Sequence, residues 1–111
     1  MNRDRPFEGV LGNSVELRLI EHLISMPKMD FNITELTRLT GVSRASTNMA
    51  AKKFLEWGII KNVGKRGNMT LYKIDLESPI VVSVSRFNNS LMHKMHPDLY
   101  EGENAQFQSD P

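Results

Sequence analysis

The sequence predicts one α+β domain that is mostly helical, with a small β-hairpin and an additional helix towards the C-terminus. Its 111 residues are enough for a single hydrophobic core but few for two. Apolar residues recur at helical spacing in four segments, and one segment with glycines at its centre alternates as strands do. The absence of cysteine excludes disulfides, zinc–thiolate sites and cysteine nucleophiles, and it favours a reducing cytoplasm.

The N-terminal part of the chain predicts an arm followed by a helix. Residues 1–12 mix charge, proline and glycine without periodicity, so we expect an N-terminal arm that docks through Phe7 and Val10. Asn13 then opens a helix over 14–26 with the spacing of a capping box. The apolar residues of this helix recur at helical spacing, namely Leu17, Ile20, Leu23 and Ile24.

Two further helices follow, separated by a turn of three residues. A short extended segment, 31–33, precedes a helix over 34–40, which a second capping-box spacing opens and Gly41 closes. Ser43 is a good N-cap for a longer helix over 43–57, which contains neither glycine nor proline. Helical periodicity turns five residues of this helix towards the core, namely Thr47, Ala50, Ala51, Phe54 and Trp57.

A β-hairpin with a basic tip is predicted next. Its strands, 59–63 and 69–74, alternate between two faces and are joined by the sequence GKRGN at 64–68. Gly64 and Gly67 supply the positive φ angles that a tight hairpin needs. The hairpin therefore places two consecutive basic residues at its tip.

The C-terminal residues 97–111 contain four acidic residues and no lysine or arginine, which predicts an acidic, disordered tail. No uninterrupted run of apolar residues in the chain exceeds three. We therefore expect neither a transmembrane helix nor a secretory signal, and we expect a cytoplasmic protein that does not contact a membrane.

Two sequence motifs resemble a known family. The stretch TELTRLTGVSRAS resembles the helix-turn-helix of bacterial and archaeal transcriptional regulators, and FLEWGII is similar to the LEELGLI sequence by which that family leaves its recognition helix. The resemblance implies a winged helix-turn-helix domain over 13–76. It also implies double-stranded DNA as the partner, with the recognition helix 43–57 in the major groove and the wing 64–68 on the backbone or minor groove.

Candidate DNA-binding residues follow from the chemistry of the groove. A helix that enters the major groove needs short polar or cationic side chains near its N-terminus, where arginine pairs with guanine and asparagine with adenine. Lysine and arginine at the tip of the hairpin are suited to phosphates or to the minor groove. The candidates are Arg44, Ser46, Asn48, Lys52, Lys53, Lys65 and Arg66.

Charge is unevenly distributed along the chain. The whole chain carries a formal net charge of +1, which by itself argues against a nucleic-acid-binding protein. Residues 41–73, however, contain seven positive residues and one negative, so this segment carries +6 and the rest of the chain −5. Such segregation onto the recognition helix and the hairpin is what neutralisation of phosphates requires.

The last predicted helix, 79–95, follows a Ser-Pro start signal and carries one narrow apolar seam. Its opening sequence SPIVVSV resembles the Pro-Ile-Val start of the dimerisation helix in archaeal winged-helix regulators. We expect a homodimer, and the alternative is that the helix packs back onto helix 14–26 of the same chain. The seam residues are Ile80, Val84, Phe87, Leu91 and Met95.

Other functions find less support in the sequence. The alternative is a winged-helix module that binds another protein in an assembly or partition complex. In that case Met49, Leu55 and the apolar seam would form the contacts. Leu55 is expected to be exposed in either case. His93 and His96 are not joined by residues that complete a metal site, so we expect no metal, no cofactor and no enzymatic activity.

Overall fold

A computed structural model describes residues 6–98, and the remaining residues, 1–5 and 99–111, lie outside the described part. Most of the expected acidic tail therefore lies outside it. The helices and strands are α1 (Pro6–Leu11), α2 (Val15–Ser25), α3 (Ile33–Thr40), α4 (Arg44–Glu56), β1 (Ile60–Arg66), β2 (Met69–Ile74) and α5 (Pro79–Met95). The predicted fold class, mostly helical with one β-hairpin and a C-terminal helix, is confirmed.

The largest difference from the sequence-based expectation lies at the N-terminal end, where part of the expected irregular arm forms α1. The carboxylate of Glu21 accepts a hydrogen bond from the backbone N–H of Phe7 at 3.1 Å and so satisfies a donor at the start of this short helix. The Phe7 side chain is buried, whereas Val10 is 59% exposed. The prediction that this segment docks through Phe7 is therefore confirmed, and the prediction that it docks through Val10 is wrong.

Side-chain caps fix where the next three helices begin. Ser14, one residue after the expected Asn13, caps α2 by accepting from the backbone N–H of Leu17 at 3.1 Å. At α3 the predicted capping box is confirmed, because Asn32 and Glu35 each accept from the other's backbone N–H, at 2.8 and 3.0 Å.

The turn between α3 and α4 also follows the prediction. Gly41 adopts the left-handed conformation, with φ of 73°, and its N–H donates to the carbonyl of Thr37. Ser43 then caps α4 by accepting from the backbone N–H of Ser46 at 3.2 Å. The orientation of α4 relative to α3 is therefore set by two short-range capping interactions.

The core lies between α2, α3, α4 and the start of the hairpin. Its buried hydrophobic residues are Leu19, Leu23, Phe31, Leu36, Val42, Ala50, Ala51, Phe54, Ile60, Ile74 and Val81. Four of the five α4 residues expected to face the core are buried, but Trp57 is 67% exposed. The helix ends at Glu56 and Gly58 turns the chain with φ of 70°, so helical periodicity no longer applies at Trp57.

The hairpin has an antiparallel register in which Ile60 pairs with Ile74, with an irregularity between Asn62 and Gly64. Strand β1 continues to Arg66, so Lys65 and Arg66 lie at the end of a strand next to the turn. The backbones of Phe31 and Tyr72 exchange two hydrogen bonds, at 2.9 and 2.7 Å. This bridge joins the hairpin to the segment that leads into α3.

Helix α5 has the bounds expected from the sequence, and its buried residues are Val81 near its start and His93 near its end. Ser78 caps it through the backbone N–H of Val81, whose side chain is buried. Ile20 and Ile24 of α2 line an apolar cleft together with residues of the hairpin base and of the first two turns of α5. Among the described residues, no helix is long and apolar enough to cross a membrane.

Candidate nucleic-acid interface

The outward face of α4 is polar and cationic. Arg44, Asn48 and Lys52 are exposed, as is Met49, whereas Ser46 is half-buried. The acidic residue of α4 is Glu56, at its last position, and its first turn contains none. Because the backbone dipole makes a helix N-terminus positive, this end of α4 combines a cationic side chain with a positive dipole and favours an anion.

Arg44 is the first residue of α4 and is held by the preceding helix. Its Nη2 donates a hydrogen bond to the hydroxyl Oγ1 of Thr34 at 2.8 Å. Side chains in a helix tilt towards its N-terminus, which directs Arg44 back over the first turn of α3. The guanidinium of Arg44 therefore lies against the N-terminal turn of α3.

Lys53 lies on a different side of α4, towards α2. Its Nζ is 2.8 Å from Oε2 of Glu16, and both side chains remain substantially exposed. The hydrogen bond from Lys53 holds the pKa of Glu16 below its ordinary value of 4.5. Within residues 6–98, Lys53 thus has an acidic partner, whereas no ion pair involves Arg44 or Lys52.

The two basic residues of the wing, residues 64–68, differ in their surroundings. Both are exposed, but Nη1 of Arg66 also lies 3.4 Å from Oε2 of Glu35 in α3. The backbone N–H of Asn32 and, secondly, Arg66 hold the pKa of Glu35 below its ordinary value of 4.5. Arg66 therefore ties the wing to the capping box of α3.

The wing is attached to α3 by a further contact. Nδ2 of Asn32 donates to Sδ of Met69 at 3.6 Å, so both strands of the hairpin contact the N-terminal turn of α3 close to their turn. Together with the bridge between Phe31 and Tyr72, these contacts fix the position of the wing relative to α3 and α4.

Two lysines that sequence reasoning did not select face each other across the hairpin. Lys61 of β1 and Lys73 of β2 are register partners, so their side chains project from the same face of the two strands. Like charges directly opposite each other destabilise a hairpin, and a bound anion would relieve this repulsion. The strand pattern alone could not identify the pair, because the cross-strand register depends on the irregularity between Asn62 and Gly64.

The residues of the predicted seam of α5 are partly exposed and partly in contact with other residues of the same chain. Phe87 packs against Phe7 of α1 with ring centroids 5.7 Å apart, yet it is 39% exposed, and Ile80 is 40% exposed. The other seam residues, Val84, Leu91 and Met95, are half-buried. Two seam residues, Ile80 and Val84, line the apolar cleft together with Ile20 and Ile24 of α2.

Comparison with known proteins identifies the fold. No protein-family model and no curated protein matches the sequence. The structure, however, is similar to that of the transcriptional regulator BldR from Sulfolobus solfataricus, with a TM-score of 0.58 at 12% identity, covering 96% of this chain and 82% of that one. The chain has the winged helix-turn-helix fold.

Two other winged-helix structures agree with this result. A MarR/EmrR family transcriptional regulator from Acinetobacter sp. matches with a TM-score of 0.55 at 18% identity, covering 91% of this chain and 72% of that one. The adhesin competence repressor AdcR from Streptococcus pyogenes matches with a TM-score of 0.57 at 10% identity, covering 86% of this chain and 72% of that one. In this winged-helix protein, α3 and α4 are the helix-turn-helix and β1 and β2 form the wing hairpin.

No group of three or more histidine, cysteine, aspartate or glutamate side chains within residues 6–98 is arranged to hold a metal ion.

Proposed function

We propose that this winged-helix protein is a sequence-specific, double-stranded-DNA-binding transcriptional regulator. The observation that carries the proposal is the outward face of α4, on which Arg44, Asn48 and Lys52 are exposed. Arg44 and the wing residue Arg66 both contact the N-terminal turn of α3, at Thr34 and Glu35. B-DNA accepts one helix in its major groove, and the positive N-terminus of α4 suits the approach to phosphates. The winged-helix structures to which the chain is similar are named transcriptional regulators or a repressor.

The candidate residues take different parts in this proposal. Arg44 and Asn48 read bases, with guanine and adenine as their preferred partners, while Ser46 contacts a base or a phosphate. Lys52 and Lys65 neutralise phosphates without reading the sequence. Lys53 and Arg66 were also candidates, and their ion pairs with Glu16 and Glu35 favour a part in holding the interface together.

The proposal includes a homodimer that covers the exposed apolar residues of α5. Ile80 and Phe87, seven residues apart on one side of this helix, are 40% and 39% exposed. Exposed apolar side chains on one side of a helix favour an interaction site, because leaving them in water forgoes the hydrophobic contribution of their burial. A symmetric dimer would present two recognition helices to half-sites about one helical turn apart.

The test is DNA binding as a function of salt and sequence. A duplex selected by the protein from a random pool serves as the probe. If each subunit of a dimer neutralises about three phosphates, a plot of the logarithm of the association constant against the logarithm of the salt concentration should have a slope of about −5. Arg44→Ala should weaken binding to the selected duplex, and Lys65→Ala should reduce the magnitude of the slope by about 1 per subunit.

Arg86→Ala provides the matched control, because Arg86 is an exposed arginine on α5, away from α4 and the wing. It should leave both affinity and slope unchanged. Failure to select any duplex, or binding that does not depend on salt, would refute the proposal.

A second candidate function rests on a different observation. Met49 is 65% exposed at the centre of the outward face of α4, and Leu55 and Trp57 are exposed near its end. Exposed large apolar side chains in these places favour a protein partner, so a winged-helix interaction module is the alternative. In that case Met49→Ala would abolish complex formation, whereas Arg44→Ala would not.

A further inference from the structure

We infer that Thr34 is a specificity-determining residue of this protein that acts by positioning the Arg44 guanidinium for base recognition. The inference rests on the proposed function, since it assumes that α4 reads DNA. It adds a residue of α3 that the sequence did not select and that lies outside the recognition helix. The observation that carries it is the 2.8 Å hydrogen bond from Nη2 of Arg44 to Oγ1 of Thr34.

The acceptor is held on a rigid support. Thr34 is the second residue of α3, directly between the two residues of the capping box, Asn32 and Glu35, and the helix start is thereby fixed. Asn32 is buried, and Leu36 anchors the next turn in the core. Threonine is branched at Cβ and adopts few χ1 rotamers in a helix, so its hydroxyl has few positions available.

The donor, by contrast, is exposed and flexible without this contact. Arg44 follows the N-cap Ser43, whose hydroxyl is already engaged by the backbone N–H of Ser46. A long arginine side chain in solvent samples many rotamers, and ordering it on DNA carries an entropic cost. The bond to Thr34 orders the side chain in the free protein, before DNA arrives.

The bond leaves Arg44 able to read a base. A guanidinium has five N–H donors in a planar fork, and Thr34 engages one of those on Nη2. The remaining donors include both on Nη1 and one on Nη2, which suffice for a bidentate contact with O6 and N7 of guanine. Thr34 can therefore hold the plane of the fork while its other edge faces the groove.

The inference predicts that removing the Thr34 hydroxyl lowers discrimination at one base pair, which is the ratio of the affinity for the selected duplex to that for a duplex changed at this pair. The affinity for DNA of unrelated sequence should change little. A bidentate arginine–guanine contact discriminates by about 5- to 150-fold against the wrong base. Loss of one supporting hydrogen bond should lower that ratio by roughly 2- to 10-fold. Because the Thr34 hydroxyl carries no charge, its removal releases no phosphate contact and the salt slope should stay the same.

Three variants test the inference on the full chain. Thr34→Val is nearly isosteric and removes the hydroxyl, Thr34→Ser retains it, and Arg44→Ala removes the residue it positions. Each is titrated against a duplex selected by the wild type from a random pool and against duplexes with single base-pair changes. Circular dichroism and thermal unfolding show whether each variant folds.

We expect Thr34→Val to lower discrimination at the one position where Arg44→Ala abolishes it, and Thr34→Ser to restore it. In the Arg44→Ala background, Thr34→Val should have no further effect, because Thr34 acts through Arg44. A uniform loss of affinity for all duplexes, or additive effects in the double variant, would overturn the inference. Unchanged discrimination in Thr34→Val would overturn the inference alone. If the wild type selects no duplex, the proposed function itself fails.

Discussion

The two longest helices of the protein, α4 and α5, expose opposite chemistry. The exposed side of α4 carries Arg44, Asn48 and Lys52. Its buried side consists of Phe54 and small side chains of the same helix. Helix α5 instead exposes apolar side chains, Ile80, Val82 and Phe87 among them. A polar surface is stable in water and suits a hydrated, charged partner, whereas an apolar surface gains free energy when another apolar surface covers it. The difference points to two kinds of partner for one small domain.

The largest expected effect tests whether α4 is an intrinsic part of the core. Phe54 is 3% exposed, so Phe54→Ala should lower the free energy of unfolding by about 3–5 kcal/mol. Chemical denaturation at two protein concentrations measures this loss, which should be the same at both because the contact lies within one chain. A loss below about 1 kcal/mol would contradict the assignment of α4 to the core.

The next prediction tests whether the apolar side of α5 is covered by a second subunit. Phe87→Glu places a charge on a surface that the proposed dimer buries, which is unfavourable, so the variant should be monomeric at concentrations where the wild type is dimeric. Because Phe87 also packs against Phe7 of the same chain, thermal unfolding must show that the variant folds. Size-exclusion chromatography with light scattering measures the mass. Arg86→Glu, at the neighbouring exposed position, is the control, and a dimer that persists in Phe87→Glu would place the dimer contact elsewhere.

A smaller effect concerns how the surface around α4 is held, and it depends on pH. The pKa of Glu35 is lowered in the folded chain by the Asn32 N–H and by Arg66, with Arg38 also nearby. A group with a lowered pKa contributes stability above its unfolded value, here about 4.5, and loses it as the pH falls through the folded value. Because Glu35 is more than one third exposed, solvent screening keeps its ion-pair contribution within about 1 kcal/mol.

Glu35→Gln should therefore reduce the loss of stability as the pH falls below about 4.5, since glutamine retains an acceptor for the cap but does not titrate. Thermal unfolding across this pH range measures the effect. Glu16 contributes with the same sign through its pair with Lys53, so Glu16→Gln should remove a separate, additive part. An unchanged pH profile in both variants would show that neither pair contributes to stability.

The smallest expected effect concerns the lysine pair of the hairpin, where one substitution should change stability and DNA affinity in opposite directions. Lys61 and Lys73 face each other across the hairpin, so Lys73→Glu should stabilise the free protein by about 0.2–1 kcal/mol. The same change should weaken DNA binding if this face contributes to phosphate contacts, because it replaces attraction by repulsion. Lys73→Gln, which removes the repulsion without adding a negative charge, is the intermediate control for both measurements. A loss of stability in Lys73→Glu would show that the lysines do not repel each other.

Much of the fold was predictable because its signals are local. The capping box at Asn32 and Glu35, the glycine turn at Gly41 and the Ser-Pro start of α5 each depend on residues a few positions apart. The sequence-based prediction was wrong where a contact between residues distant in the sequence, or the end of a helix, determines the structure. Helix α1 depends on the distant carboxylate of Glu21, and Trp57 is exposed because the helix ends before it.

The candidate site shows the same division. Residue type and helical periodicity identified the exposed residues of α4, because these depend on a repeat of 3.6 residues within one element. Periodicity could not identify their neighbours, since Thr34 and Glu35 lie on another helix and contact Arg44 and Arg66 through side chains. Only the packing of α3 against α4 and of the wing against α3 brings these pairs together.

By itself, the sequence determined the order of the elements, the position of the caps and the concentration of positive charge in residues 41–73. These properties depend on backbone geometry and composition, which act over a few residues. The tertiary structure decided which of those charges meet a partner: Arg44, Lys53 and Arg66, although exposed, contact residues of α2 or α3. Electrostatic and hydrogen-bonding interactions depend on distance in space, so these partners are set only when the chain is folded.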